Sequence, residues 1–304
     1  MKITIHPRMG EISADQWNTL IRDNNPFLRH EFLHALETHD CVGENFGWHP
    51  CHIGIYEKEQ LIAALPLYQK SNSYGEFVFD NNWADAWTRA QLPYYPKLVS
   101  AIPYTPAGGQ RLLTTLGREE ELYALLLQTA IMLTERLQAS GFHCLFPTAE
   151  EQQWLSQQKL LVRHDCQFHW HNRDYQHFDD FLAKLKRKKR KNIQQERRRV
   201  QQAGVTIRCL DGHTATAQDW TDFNRFYQKT FDEKWGTATL NQGFFEEVAR
   251  TLPNQVFLVL ADIDHQCLAG SLMFRSDQGL YGRYWGCDEQ IDALHFECCY
   301  YQGI

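Results

Sequence analysis

The chain has 304 residues, 43% of them apolar and 22% charged, with a formal net charge of −6. These figures describe an ordinary globular protein of about two domains, and they exclude a disordered or collagen-like chain. No apolar run approaches the 18 or so residues that a membrane span needs, and MKITIHPRMG lacks the apolar centre of a signal peptide, so a cytoplasmic location is expected.

In chain order, KITIH (2–6) reads as a short strand, and Ser13 to Gln16 carry a capping signature for a helix reaching Ile21. A second helix is expected over Glu31 to Thr38. CHIGIY (51–56), LIAALPLY (61–68) and YGEFVF (74–79) read as three antiparallel strands. Residues 93–109, with four prolines and three tyrosines, predict an ordered aromatic loop. Leu122 to Leu137 has the periodicity of a long amphipathic helix, followed by a strand in FHCLF, a helix capped by Thr148 with Glu151, and a strand around CQFHW.

Phe178 to Val200, FDDFLAKLKRKKRKNIQQERRRV, holds ten Lys or Arg and one acid between Lys184 and Arg199. That is nine net positive charges, which leaves the remainder at about −15. Phe178, Phe181, Leu182, Leu185, Ile193 and Val200 fall near one stripe, so a single helix roughly 33 Å long is expected. It is either a solvated charged face or a cradle for the phosphates of an RNA or a nucleotide-linked substrate.

After this helix come a strand (VTIRCL, 205–210), helices over Ala217 to Phe231 and Phe244 to Leu252, strands at 256–263, 267–275 and 280–286, and a helix start at Leu294. This order repeats that of the first half. LIAALPLYQ sits over CLAGSLMFR, and YGEFVFDNNWADA over YGRYWGCDEQIDA, which points to a duplication. Far fewer residues follow Asp292-Ala293 than follow Asp85-Ala86, so a second domain unfinished at its C-terminus is expected.

Nine cysteines without a C-x-x-C pair suggest reduced thiols. Gln167, His169 and His171 share a face of their expected strand, which reads as a polar face more readily than as a metal site, and no metal is expected. No nucleophile elbow, zincin motif or Gly-rich phosphate loop is present. Tyr281, Arg283 and Trp285 are expected on one strand face, continuing into Asp292, His295, Glu297 and Tyr300. His295 or Glu297 is placed either to take a proton from an attacking amine or to serve as a core histidine and a capping acid. Glu76, Asp80 and Asp85 occupy the matching region of the first half, and Lys234-Trp235-Gly236 either clamps a substrate anion or turns the chain.

At YGEFVFDNNWADAW, QFHWHN, FDDFLAKLKRKKRKNIQQERR, KWG, LYGRYWG and LHFECCYYQGI the sequence resembles a bacterial family of predicted N-acyltransferases of peptidoglycan biosynthesis or recognition, the FemAB-like family. The resemblance covers nearly the whole chain, and it implies two tandem α/β domains of the acetyltransferase (GNAT) type with mixed, mainly antiparallel sheets, near 1–172 and 173–304. Better-studied Fem-type enzymes, more distantly similar, transfer an amino acid from aminoacyl-tRNA to an amine, and a K-x-R-x-N pattern opens their second domain. Here that pattern falls on Lys188, Arg190 and Asn192, which implies contact with substrate phosphate.

The implied activity is an N-acyl or aminoacyl transfer onto a primary amine of a peptide substrate. His295 or Glu297 would act as base, Arg283 as oxyanion or phosphate partner, and Tyr281 and Tyr300 as positioning groups, with Glu76, Asp80 and Asp85 available to the acceptor. The donor would be acyl-CoA or aminoacyl-tRNA, with no tightly bound cofactor. Arg283 to Asp288 lacks the last small residue of the acetyl-CoA loop, and no long coiled-coil insertion is seen. The alternative is a non-catalytic module that recognises a peptidoglycan precursor, a tRNA or a nucleotide-sugar phosphate through its basic helix.

Overall fold

The computed structural model describes every residue except Trp235, so the expectation at Trp235 lies outside the described residues. Up to Gln157 the elements are β1 (Lys2–His6), α1 (Ala14–Asn18), α2 (His30–Thr38), β2 (Trp48–Pro50), β3 (His52–Glu57), β4 (Gln60–Leu65), β5 (Tyr68–Lys70), α3 (Asn81–Arg89), β6 (Lys97–Ser100), β7 (Leu113–Thr114), α4 (Glu119–Arg136), β8 (Phe142–Cys144) and α5 (Ala149–Gln157). Then follow α6 (Phe178–Lys184), α7 (Arg187–Gln202), β9 (Thr206–Leu210), α8 (Ala217–Glu233), α9 (Gln242–Thr251), β10 (Val256–Ile263), β11 (Gln266–Arg275), β12 (Leu280–Cys287) and α10 (Leu294–Phe296), which runs into a π-type turn over Glu297–Tyr301.

Among the described residues the strands form three four-stranded sheets, ordered β1-β3-β4-β7, β2-β5-β6-β8 and β12-β11-β10-β9. Their pairings are antiparallel except β6 with β8. The fold is thus mixed α/β with mainly antiparallel sheets. All nine cysteines are free, and no helix among the described residues is long and apolar enough to cross a membrane.

Two compact units divide the chain. One comprises Met1–Leu161, Thr239–Leu252 and Ser276–Gln278; the other comprises Val162–Ala238, Pro253–Arg275 and Gly279–Ile304. This differs from a boundary at 172. Helix α9, expected in the second domain, joins the first unit because Phe244 packs edge-to-face on Phe32 of α2 at 5.4 Å. Asn241 at its N-cap also donates to the His39 carbonyl at 2.7 Å. In the first unit Ile53, Ile55 and Leu65 form a core with Leu122, Leu126 and Leu133 of α4. In the second, Val259, Ala261 and Met273 pack with Val200, Leu294 and Cys298. The opposite sheet face meets α8 so closely that a Cβ at Gly286 would stand 2.3 Å from the Phe226 carbonyl oxygen.

The two units repeat one local design. In each, a strand (β1 or β9) pairs antiparallel with the first arm of a hairpin that follows two helices. Both hairpins turn on two non-glycine residues with positive φ, Lys58-Glu59 (49° and 65°) and Asp264-His265 (47° and 65°), as a type I′ turn requires. Both then carry one extra residue at the same distance past the turn. Ile62 is unpaired between Leu61↔Tyr56 and Ala63↔Ile55, and Leu268 between Cys267↔Asp262 and Ala269↔Ala261.

Five expectations need correction. YGEFVF is not a strand, because Gly75 (φ 78°) and Phe77 (φ 57°) leave the extended region; its match to the true strand β12 therefore does not hold in structure. Residues 162–171, including Gln167, His169 and His171, lie exposed outside every sheet, with Phe168 97% accessible. The 93–109 stretch is not all loop, since Lys97–Ser100 forms β6. The long basic helix breaks: Leu185 and Lys186 are extended (ψ 150° and 143°), which separates α6 from α7. A helix continuous through the break would stack Lys184 on Lys188 and Lys186 on Arg190 as like charges one turn apart, which disfavours it.

Finally, Tyr281 and Trp285 lie on opposite faces of β12. Arg283 is an extra residue between Gly282↔Met273 and Tyr284↔Leu272, so the alternation reverses at it.

Candidate active site

In the second unit α7 has two faces. Its inner face carries Val200, which is buried, together with Glu196 and Arg197. The Arg197 guanidinium donates to both oxygens of the buried Glu297 carboxylate at 3.0–3.2 Å and stacks 4.6 Å from the Phe178 ring. Glu196 accepts from the Tyr301 hydroxyl at 2.5 Å, and Gln302 donates to Glu297 at 2.6 Å. The outer face bears an open groove of about 420 Å³ lined by Lys191, Gln195, Arg198, Arg199 and Gln202.

Near the start of α7, Lys188, Lys189, Lys191 and Asn192 are exposed, and none of these three lysines has an ion-pair partner among the described residues. These cations crowd a helix N-terminus that already carries partial positive charge, so the site is short of an anion. Arg190, expected beside Lys188 as a phosphate contact, is half-buried and donates to the Leu185 carbonyl at 3.3 Å, where it closes the end of α6.

His295 lies on α10, immediately before that turn. Its ring stands edge-on to Trp285 (5.3 Å) and to Tyr300 (5.7 Å). Partial burial, reinforced by the Lys234 charge, lowers its pKa, so the imidazole is neutral near pH 7. A neutral imidazole accepts a proton. Glu297 is instead committed to Arg197 and Gln302. Arg283 leaves the strand at its bulge, with the guanidinium 5.1 Å from the Tyr284 ring. Tyr281 lies across the sheet from Trp285. Thus Tyr300 and Trp285 gather around His295, whereas Tyr281, Arg283 and Glu297 do not.

The first unit brings together Glu76 and Asp80, and it adds Lys97 and Lys70, which sequence reasoning missed. The fully buried Lys97 ammonium donates to Glu76 (2.7 Å), to Ser73 (3.0 Å) and to Asp80, with the Tyr94 ring 5.2 Å away. Tyr94 also donates its hydroxyl to Asp80 at 2.6 Å. Burial acts to raise the Asp80 pKa, but hydrogen bonds from Lys97, Tyr94 and Ser73 outweigh it and hold the group at about 2. Burial dominates at Glu76, whose pKa is raised against the pull of Lys97.

Lys70, 3.8 Å over the Trp48 ring, donates to the Tyr74 carbonyl at 3.2 Å, and burial lowers its pKa to about 7. The available signal was a lysine at the end of each of two short segments flanked by apolar residues, Lys70 closing β5 and Lys97 opening β6, where the two pair across the sheet. Asp85 is exposed on α3 and stands apart from this cluster.

The comparisons agree in fold. A solved structure described as FemX is similar with a TM-score of 0.53 and 11% identity, covering 95% of this chain and 81% of that one. A conserved protein of unknown function from Bacteroides thetaiotaomicron VPI-5482 is similar with a TM-score of 0.55 and 11% identity, covering 99% and 86%. No curated protein matches in sequence. The family model described as FemAB-like, peptidoglycan biosynthesis/recognition, matches residues 8–304. The chain therefore belongs to the FemAB-like family of peptidoglycan biosynthesis or recognition.

Proposed function

We propose that the protein is an N-acyl- or aminoacyltransferase acting on a primary amine of a peptidoglycan-type peptide, built from two tandem acyltransferase-type (GNAT) units and working in the cytoplasm. The matching hairpins, each with a type I′ turn and a bulge at the same place, support the tandem reading. The activity rests on one observation: the Arg197–Glu297 pair fastens a helix whose Lys188, Lys189 and Lys191 have no ion-pair partner among the described residues to the turn that follows α10, the helix bearing a neutral His295. A phosphate-bearing donor, aminoacyl-tRNA or acyl-CoA, would bind at Lys188, Lys191 and Asn192.

The amine nitrogen then attacks the acyl carbon and forms the C–N bond. The ester C–O or thioester C–S bond breaks, and its electron pair leaves with the tRNA or CoA. The proton lost by nitrogen passes through His295, directly or by water, to that leaving group. Tyr300 positions the imidazole, while Arg283, Tyr281 and Lys234 of the same unit remain candidates for acceptor contacts; Glu76 and Asp80, buried and spent on Lys97, are closed to an acceptor.

Mass spectrometry of amide product with each donor and an amine-bearing muropeptide tests this. His295→Gln should lower turnover roughly 100-fold, within the range of general-base contributions. If His295→Gln and Glu297→Gln together leave turnover unchanged, His295 has no part in transfer. A second reading, a non-catalytic module that binds polyanions, is favoured by the form of the α7 groove, which is open and lined by α7 alone, without Arg283. Binding of tRNA or of a nucleotide-sugar phosphate without turnover of either donor would select it.

A further inference from the structure

Between β5 and β6 the chain makes an excursion, residues 71–96, whose outer surface is apolar at considerable energetic cost. Phe79 is 78% exposed, and Tyr74, Phe77, Trp83 and Leu92 are each about half exposed. Helix α3, which carries Trp83 and Trp87 one turn apart, has no buried residue. At roughly 150–250 Å² per aromatic side chain, the display is on the order of 500 Å², the upper end of what a monomer carries on one patch.

The cause lies beneath. Lys97 draws the side chains of Glu76 and Asp80 inward, and the Trp48 indole and Lys70 both donate to the Tyr74 carbonyl. With Glu76 and Asp80 clamped inside, Phe77 and Phe79 between them are turned to solvent, and Phe77 takes a left-handed φ of 57° that an aromatic residue adopts only under constraint. Buried charges, a strained backbone and exposed aromatics thus coincide on one strap. It is pinned at Tyr74, Glu76 and Asp80 rather than collapsed onto the core.

We propose that this strap is a docking surface for the interface of a lipid bilayer. The exposed Tyr, Phe and Trp side chains of the strap match the headgroup–acyl boundary, where such rings partition. Its exposed charges, Asp85 and Arg89, lie four residues apart on α3 and cancel, in a chain that outside 184–199 carries about −15. The matching surface is therefore one without net charge. A zwitterionic bilayer meets that condition; an acidic or basic protein face does not.

Co-sedimentation of the full chain with phosphatidylcholine vesicles tests the assignment, with circular dichroism confirming the fold of each variant. The wild-type protein should partition onto vesicles, and Phe79→Ser with Trp83→Ser should lower the partition coefficient at least tenfold. Ile131→Ser with Met132→Ser, which removes two comparably exposed apolar side chains from α4, should leave it unchanged. Failure of the folded wild-type protein to sediment would overturn the proposal, as would equal loss in both double variants. Concentration-dependent self-association abolished by Phe79→Ser and Trp83→Ser, without partition onto vesicles, would overturn it in favour of a second copy of the chain.

Discussion

Arg197 grips both carboxylate oxygens of Glu297, a residue one hundred positions further along the chain. The pair joins α7 to the turn after α10, and its energetics are asymmetric, since Glu297 is buried whereas Arg197 is about one-third exposed. Arg197→Ala strands a buried carboxylate and should cost about 2–3 kcal/mol, below the range for fully buried pairs because of Arg197's partial exposure. Arg197→Met with Glu297→Leu should recover most of the loss. Urea denaturation of the three proteins measures this, and equal losses in single and double variants would show that the pair itself stabilises.

The Lys97 knot behaves likewise, with higher stakes. Lys97→Met leaves Glu76 and Asp80 buried without their shared cation, and a loss of about 3–5 kcal/mol is expected. Adding Glu76→Gln and Asp80→Asn to Lys97→Met removes the uncompensated charge and should restore at least half of it. Chemical denaturation again decides, and a loss below about 1 kcal/mol in Lys97→Met would mean that water reaches Glu76 and Asp80 freely.

Lys70 makes a pH prediction. Its folded-state pKa is lowered to about 7 from the ordinary 10.5, so between those values the unfolded chain binds more protons than the folded one. Stability from this group therefore rises with pH through that window, by up to about 1.4 kcal/mol per pH unit, and the charged form opposes folding fully below pH 7. Lys70→Met should flatten the rise. Denaturation midpoints from pH 7 to 10 measure it, and an unchanged slope would show that Lys70 is not the group responsible.

Much of this architecture was legible because its signals are local. The capping box at Thr148 and Glu151, the periodicity of α4 and the hairpin β10–β11 all depend on near neighbours, and each stands close to where it was expected. The misses depend on distant groups. Phe77 alternates with its neighbours as a strand residue would, and only Lys97, twenty positions away, turns it outward. The bulge at Arg283 reverses the faces of β12 without any mark in composition, so Tyr281 and Trp285 part company. Charge counting found α7, but it could not separate Arg190, spent on the Leu185 carbonyl, from Lys188, which faces solvent.

That separation yields the last prediction. If the exposed lysines of α7 hold phosphates, affinity for tRNA should fall with salt at a logarithmic slope of about −0.7 to −0.9 per neutralised contact. Lys188→Gln should make the slope shallower by about one such step and leave the melting temperature in place, because an exposed cation adds little to stability. Arg190→Gln should do the reverse. It frees the Leu185 carbonyl at the α6–α7 break, lowers stability by about 1 kcal/mol, and leaves the salt slope nearly unchanged. Lys191→Gln, on the groove, should behave like Lys188→Gln. Fluorescence anisotropy from 50 to 300 mM salt, read beside thermal melts, separates the two classes. Equal slope changes for Lys188→Gln and Arg190→Gln, with equal melting temperatures, would mean that Arg190 leaves the carbonyl to join the anion.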